Sequence, residues 1–283
     1  MERFLFFTDP HLFEKQDHIV LDEQMAVLKQ YVEKAKIPFV VCGGDWLGNS
    51  DSQEVAFEKL KYIDQCTRKL SVHYYPVLGN HDTNYQGVDK NGNKNCGQLT
   101  KDALIDAWFK AYGNTYYAFD GVCTRFYVLD CGIDWDYDLI TQERLNQLHW
   151  LADSLLKEDS QKSAVIMHIY FIDENDLSLS KFSKEIERCL FAYNSRIPFQ
   201  LDGKKYDFSL CTGKIGFVLS GHIHKDVIGF MKGDIPIIAT VNAFEKGKLS
   251  FDVLEIDYNK GTINLIRIGE GVNREVCMPM EEF

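Results

Sequence analysis

Five times along the sequence a short apolar run ends on Asp, Asn or His, with glycine beside most of these groups. Asp9-Pro10-His11 follows Arg3–Phe7, Gly43-Gly44-Asp45 follows Phe39–Cys42, and Gly79-Asn80-His81-Asp82 follows Val72–Leu78. His168 follows Ala164–Met167, and Gly221-His222-Ile223-His224 closes the series. Unbroken apolar runs of this length read as strands covered on both faces. Between the first three lie Leu21–Lys36, with Leu21, Met25, Leu28 and Val32 at helical spacing, and Gln53–Leu70, with Ala56, Leu60 and Ile63 on one side. Two consecutive βαβ units predict a parallel sheet with right-handed crossovers. Loops at the carboxyl ends of neighbouring strands in such a sheet open into one crevice, where the polar segments can converge.

Beyond residue 115 the pattern turns to antiparallel pairing. Tyr116–Phe119 and Val122–Leu129 flank Asp120-Gly121, a hairpin signal because a type I′ turn needs positive φ at both central residues. Hairpins are also expected around Asp202-Gly203, Lys232-Gly233-Asp234 and Asn259-Lys260-Gly261, with helices over Gln142–Leu156 and Lys181–Tyr193. No Pro, Gly or Ser linker and no repeat divides the 283 residues, so an α/β fold of one domain, 1–283, is expected. Gln86–Gly97 begins like a calcium loop at Asp89, Asn91 and Asn93, but Lys94 and Thr100 stand where Gly and Glu are needed, so it reads as a surface loop.

In an extended segment residues i and i+2 point the same way, so Asp9 with His11, and His222 with His224, can each offer two ligands to one site. Carboxylate with imidazole suits Zn, Mn or Fe. Two cations about 3.5–4 Å apart need a bridging carboxylate, for which Asp45 is the candidate. A single histidine at a strand end is more often a hydrogen-bonded structural group. Five of the eight histidines in these five contexts are not explained that way; His18, His73 and His149 lie outside and are read as structural.

The set Asp9-x-His11, Gly44-Asp45, Gly79-Asn80-His81-Asp82, His168 and Gly221-His222-x-His224 resembles the calcineurin-like metallophosphoesterase superfamily. The resemblance runs from Asp9 to the hairpin near Ile268, with softer matches at Gln147–Leu151 and Gly233–Pro236. It implies a four-layer αββα sandwich of two mixed sheets flanked by helices, with a dinuclear site on one edge. It further implies that Asp9, His11 and His224 hold a first metal ion, that Asn80, His168 and His222 hold a second, and that Asp45 bridges them. The two ions would be Mn, Fe or Zn. They would acidify a bridging water, whose hydroxide attacks phosphorus in line, and neutralise the phosphoryl oxygens. His81 would contact the phosphoryl oxygen or leaving group, and as general acid would contribute typically about 10²–10⁴-fold. Asn80 and His81 would then touch substrate. Trp46, Tyr85 and Tyr170 directly follow ligand segments and could stack on a nucleoside or aryl group.

Two departures narrow the function. The Asp-Arg pair that follows Gly-Asp in many members, the Ser/Thr phosphatases included, is replaced by Gly48 and Asn49. The usual acid behind His81 and an arginine gripping a phosphomonoester are therefore absent, which favours a phosphodiesterase or small-molecule phosphatase over a protein phosphatase. The stretch 170–217 between two metal motifs is expected to form a lid or wall. A net charge of −11 opposes a polyanion-binding partner and hence a DNA-repair nuclease, since phosphate backbones need clustered Lys and Arg. A non-catalytic scaffold of the same fold should have lost ligands, and here each position matches. The eight cysteines form no C-x-x-C pair, no run approaches a membrane span, and the first residues lack a basic region and a cleavage site. A cytoplasmic hydrolase of a small phosphorylated substrate is the expectation.

Overall fold

Side chains alternate across each strand, and that alternation sorts the core into two layers. In β5 (Thr124–Leu129), Phe126 and Val128 face the first sheet, whereas Tyr127 and Leu129 face the outer helices. β6 (Lys162–Met167) does the same with Ala164 and Ile166 against Val165 and Met167. Phe4 stacks on Phe39 with ring centroids 5.0 Å apart, and both meet Phe126 edge-on, which joins the sheets through aromatic contact. The computed structural model describes residues 1–11, 17–48, 50, 52–84, 97–132, 138–157, 162–173, 175–243 and 249–278. The calcium-like segment 86–96 lies outside them.

The first sheet has the order β14-β13-β12-β1-β2-β3. In it β1 (Glu2–Phe7), β2 (Phe39–Cys42) and β3 (His73–Pro76) are parallel, and β12 (Phe251–Asp257), β13 (Thr262–Ile268) and β14 (Arg274–Cys277) form an antiparallel meander beside β1. The second sheet has the order β10-β11-β9-β6-β5-β4. Its middle strands β11 (Pro236–Ala239), β9 (Lys214–Ser220), β6 and β5 are parallel, and the edges β10 (Val227–Phe230) and β4 (Tyr117–Asp120) antiparallel. Leu28 and Val32 of α1 (Asp17–Ala35) and Ala56, Leu60 and Ile63 of α2 (Gln53–Thr67) share one core cluster with the first sheet. Leu148, Leu151 and Leu155 of α4 (Gln142–Lys157) and Ile186, Cys189 and Leu190 of α5 (Lys181–Asn194) cover the second sheet. The result is the expected αββα sandwich.

The hairpin at Asp120-Gly121 exists, but neither residue has positive φ, so the turn is not type I′. Instead the buried Glu2 carboxylate accepts the N–H groups of Val122 and Cys123 at 3.1 and 2.8 Å. Gly121 is needed for room, since a Cβ there would stand 2.6 Å from Glu2 Oε2. In the stretch 170–217, expected as a lid or wall, α5 lies in the helical layer, and the hairpin β7–β8 (Pro198–Leu201, Lys204–Asp207) buries Phe199, Leu201 and Tyr206 in that layer's core. The helical turn α3 (Lys101–Leu104), running into a π-helical turn over Ile105–Phe109, was not foreseen, because the segment is too short to show a helical period. Among the described residues seven cysteines are free and no helix is long and apolar enough to cross a membrane.

Candidate metal centre

Each polar segment sits where the sequence placed it, at the carboxyl end of a parallel strand: Asp9 after β1, Asp45 after β2, Asn80 and His81 after β3, His168 after β6, His222 and His224 after β9. The local geometry is not extended. Asp9, His11, Asp45, His222 and His224 all have φ between 45° and 72°, in the left-handed region. Their paired side chains therefore converge through tight turns rather than through strand alternation. Non-glycine residues hold this backbone only where surroundings enforce it, and such strain gathers at functional sites. Here the enforcement is visible: Asp9 N–H donates to Gly44 O at 2.9 Å, His11 N–H to Asp45 O at 3.0 Å, and Gly221 N–H to His168 O at 3.0 Å. A Cβ on Gly221 would stand 2.1 Å from Thr8 Oγ1 and 2.7 Å from Asp9 Oδ2, so only glycine fits there.

The side chains gather into overlapping groups whose ligand atoms lie within 4.8 Å of one another: Asp9 with His11 and His224, Asp45 with His168 and His222, and His11 with Asp45 and His81. His224 Nε2 is 3.1 Å from Asp9 Oδ1, and His11 Nε2 is 3.6 Å from the same oxygen. His168 Nε2 is 2.9 Å from Asp45 Oδ2 and 3.8 Å from Asp9 Oδ1. Asp9 and Asp45 are 1% exposed and His168 is fully buried, too deep for unpaired charge without compensation.

Four observations fit these residues to metal ligation. His168 Nδ1 is 2.7 Å from Gly43 O and His11 Nδ1 is 3.3 Å from Leu47 O. A carbonyl only accepts, so each Nδ1 carries a proton, and each Nε2 is turned to the cluster, where it can ligate once unprotonated. His168 Nε2, despite its nearness to Asp45, has no hydrogen bond, and neither does the buried Asn80 Oδ1. An unpaired buried amide oxygen, and an imidazole nitrogen turned to a buried carboxylate, are groups a cation would satisfy. The donor set, carboxylate, amide oxygen and imidazole, is that of Mn, Fe or Zn sites.

The electrostatics agree. Burial pushes Asp9 upward, but His168 and hydrogen bonds from His11 and His224 hold it well below the usual carboxylate range; Asp45 is lowered likewise, against burial, by His168. Burial opposes the charged form of His168, yet Asp45 and Asp9 raise it to about 10. Burial, with His168 beside it, lowers His222 to about 4, and burial lowers His81. The carboxylates, His222 and His81 thus stand unprotonated near neutral pH, whereas His168 must give up a proton to become a ligand, and His11, raised against its burial by the Asp9 hydrogen bond and the Asp45 charge, releases its proton less readily than a free imidazole.

Among the expected substrate contacts, Asn80 and His81 follow β3 at the cluster, His81 partly exposed with its backbone N–H donating to Asp45 Oδ1 at 2.7 Å. Trp46 and Tyr170 are not available: Trp46 is fully buried, its indole N–H on the Tyr74 hydroxyl and its ring edge-on to Phe7, and Tyr170 is 1% exposed against Phe171. Tyr85 lies outside the described residues. His149 is bonded to the Tyr206 hydroxyl, and His73 lies at the opposite end of β3 from Asn80.

Supporting residues that the sequence did not single out are Thr8, whose hydroxyl donates to Asp9 Oδ2 at 2.6 Å, and Asp82. Buried Asp82 accepts the N–H groups of Asp45 and Gly79 on Oδ2, both at 2.9 Å, and of Leu47 on Oδ1 at 3.0 Å. It therefore clamps two ligand loops together. Its place in the Gly-Asn-His-Asp segment was the available signal.

The family model for calcineurin-like phosphoesterases matches residues 2–226. No curated protein matches the sequence. Among solved structures, a dimetal phosphatase from Danio rerio is similar with TM-score 0.67 and 12% identity, covering 98% of this chain and 99% of that one. GAP50, the anchor in the inner membrane complex of Plasmodium, is similar with TM-score 0.58 and 12% identity, covering 99% and 90%.

Proposed function

The chain belongs to the calcineurin-like phosphoesterase family, and from that premise we propose that it is a metal-dependent hydrolase of phosphate esters, a phosphodiesterase or small-molecule phosphatase. The observation that carries the reading is the gathering of Asp9, His11, Asp45, His168, His222 and His224 within ligand distance, beside the orphaned Asn80 Oδ1. In this reading Asp9, His11 and His224 hold one cation, Asn80, His168 and His222 the other, and Asp45 reaches both. Two cations held there would supply positive charge against a phosphoryl group and lower the pKa of water, so that hydroxide exists at neutral pH.

The chain's own groups do the rest. Gly43 O and Leu47 O hold the Nδ1–H groups of His168 and His11, so each ring is already oriented with Nε2 toward the cluster. His81, partly exposed and held low by burial, offers a neutral ring N–H to a phosphoryl or leaving-group oxygen near pH 7. With Gly48 where an orienting acid is usual, hydrogen bonding rather than full proton transfer is its main role. The acidic surface favours a small phosphorylated substrate over nucleic acid, and the free thiols suit a reducing cytoplasm. An anchor shares the fold, but a scaffold has no need of this donor set.

Manganese-loaded protein should hydrolyse nitrophenyl phosphate mono- or diesters, and Asp45→Asn should abolish turnover. Absence of turnover with Mn, Fe and Zn alike, from mildly acidic to mildly alkaline pH, would sink the proposal.

A further inference from the structure

The loop bearing His222 and His224 continues into Asp226, which enters a nearly buried ionic cluster rooted in the other sheet. Asp226 Oδ1 lies 2.7 Å from Arg267 Nη2 and 2.9 Å from Arg274 Nη1. Behind it Asp252 accepts Arg267 Nε on Oδ1 at 2.8 Å and Arg274 Nη2 on Oδ2 at 2.6 Å. The Thr240 hydroxyl donates to Asp252 Oδ2 at 2.6 Å, and Arg274 Nη1 also donates to Ala239 O at 2.9 Å. The side chains of Arg267 and Asp252 are 1% and 0% exposed, that of Arg274 9%, and that of Asp226 23%. Two arginines against two aspartates leave no net charge, so the cluster is no anion site. Its connectivity is what matters.

Asp252 and Arg267 are direct cross-strand partners on β12 and β13, and Asp252 also pairs with Phe6 on β1, the strand that leads to Asp9. Asp226, Thr240 and Ala239 belong to the second sheet and its loops. The cluster thus ties the loop of His222 and His224 to the sheet that carries Asp9, at the place where the two halves of the centre must hold register. A guanidinium fork can reach two carboxylates at fixed angles, which a lysine cannot.

We propose that Arg267 and Arg274 are positioning residues: through Asp226 they hold the His222–His224 loop against the Asp9 side of the centre, and so set its affinity for divalent metal. This rests on the metal reading above. Asp226→Ala cuts the tether while leaving Asp252 paired with both arginines, so the fold should survive; Asp226→Asn retains an Oδ1 acceptor. Second-layer partners of metal ligands typically set affinity by about 10- to 100-fold.

Mn(II) binding is measured by titration, coordination by the visible spectrum of the Co(II) form, and loop opening by amide hydrogen exchange at 221–226 in metal-free protein. Asp226→Ala should bind Mn(II) about 10- to 100-fold more weakly, change the Co(II) bands and speed exchange, with Asp226→Asn restoring part of each. Should Asp226→Ala fail to fold, Asp226→Asn and Arg274→Lys carry the same readouts, with smaller losses expected. Wild-type affinity and an unchanged Co(II) spectrum in folded variants would overturn the proposal alone. Wild-type protein that binds no divalent metal would overturn the metal reading, and this proposal with it.

Discussion

Asp82 offers the sharpest test of how the ligand loops are held. Replacing it with alanine removes the acceptor of three buried N–H groups, those of Asp45, Leu47 and Gly79. An unsatisfied buried donor costs about 1–3 kcal/mol, so the three together cost about 3–9 kcal/mol, toward the lower end if water enters the space. Asp82→Asn separates the contributions. Its amide oxygen can take the place of Oδ2 and keep Asp45 and Gly79, but its NH₂ then faces the Leu47 N–H, so that this N–H and the NH₂ are both unpaired, at a cost of about 1–3 kcal/mol each. The asparagine also removes a carboxyl that burial and the Asp45 charge push up to about 7. With a folded pKa above the unfolded value near 3.8, this group's contribution is complete below that value and fades as pH rises through about 7. The deficit of Asp82→Asn should therefore shrink between mildly acidic and neutral pH. Urea unfolding in the presence of chelator measures each variant. The order wild type, Asn, Ala is expected; an Asp82→Ala loss below about 1 kcal/mol, less than one such bond, would refute the clamp.

Two further outcomes follow from the site. His168 is raised to about 10 from 6.5, so its contribution to metal-free stability is complete below pH 6.5 and disappears as pH rises toward 10; denaturant midpoints in chelator should fall across that window, and His168→Gln should flatten the fall. Gly221→Ala forces a methyl to 2.1 Å from Thr8 Oγ1 and 2.7 Å from Asp9 Oδ2, an overpacking that costs typically about 1–3 kcal/mol; thermal melts should show the loss, and metal titration a weaker centre.

The two βαβ units and the convergence of the five polar segments were legible because each depends on local pattern: an apolar run, a polar end, a helix between; the sandwich came from the family resemblance. How the segments converge was not. Left-handed backbone at Asp9, His11, Asp45, His222 and His224 is imposed by bonds from loops distant in sequence, such as Gly44 O and His168 O, and no local propensity announces it. The same limit hid Glu2 as acceptor for the turn at Val122 and Cys123, and the arginines of β13 and β14 as partners of Asp226. Trp46 and Tyr170 show the opposite error: adjacency to a ligand in sequence says nothing about which way a ring faces, and both face inward. Likewise nothing in the length of 170–217 shows that the apolar stripe of α5 packs that helix on the outer face of the second sheet.

The central claim is that these residues form one centre for two cations that hydrolyses phosphate esters. Hydrolysis of a nitrophenyl phosphate ester, followed as Mn(II) is added stepwise to metal-free protein well above its dissociation constants, tests it most directly. Activity should rise and then break at two metal equivalents per chain, with no rise for Asp45→Asn. A break at one equivalent, or full occupancy of both sites without turnover, would contradict it.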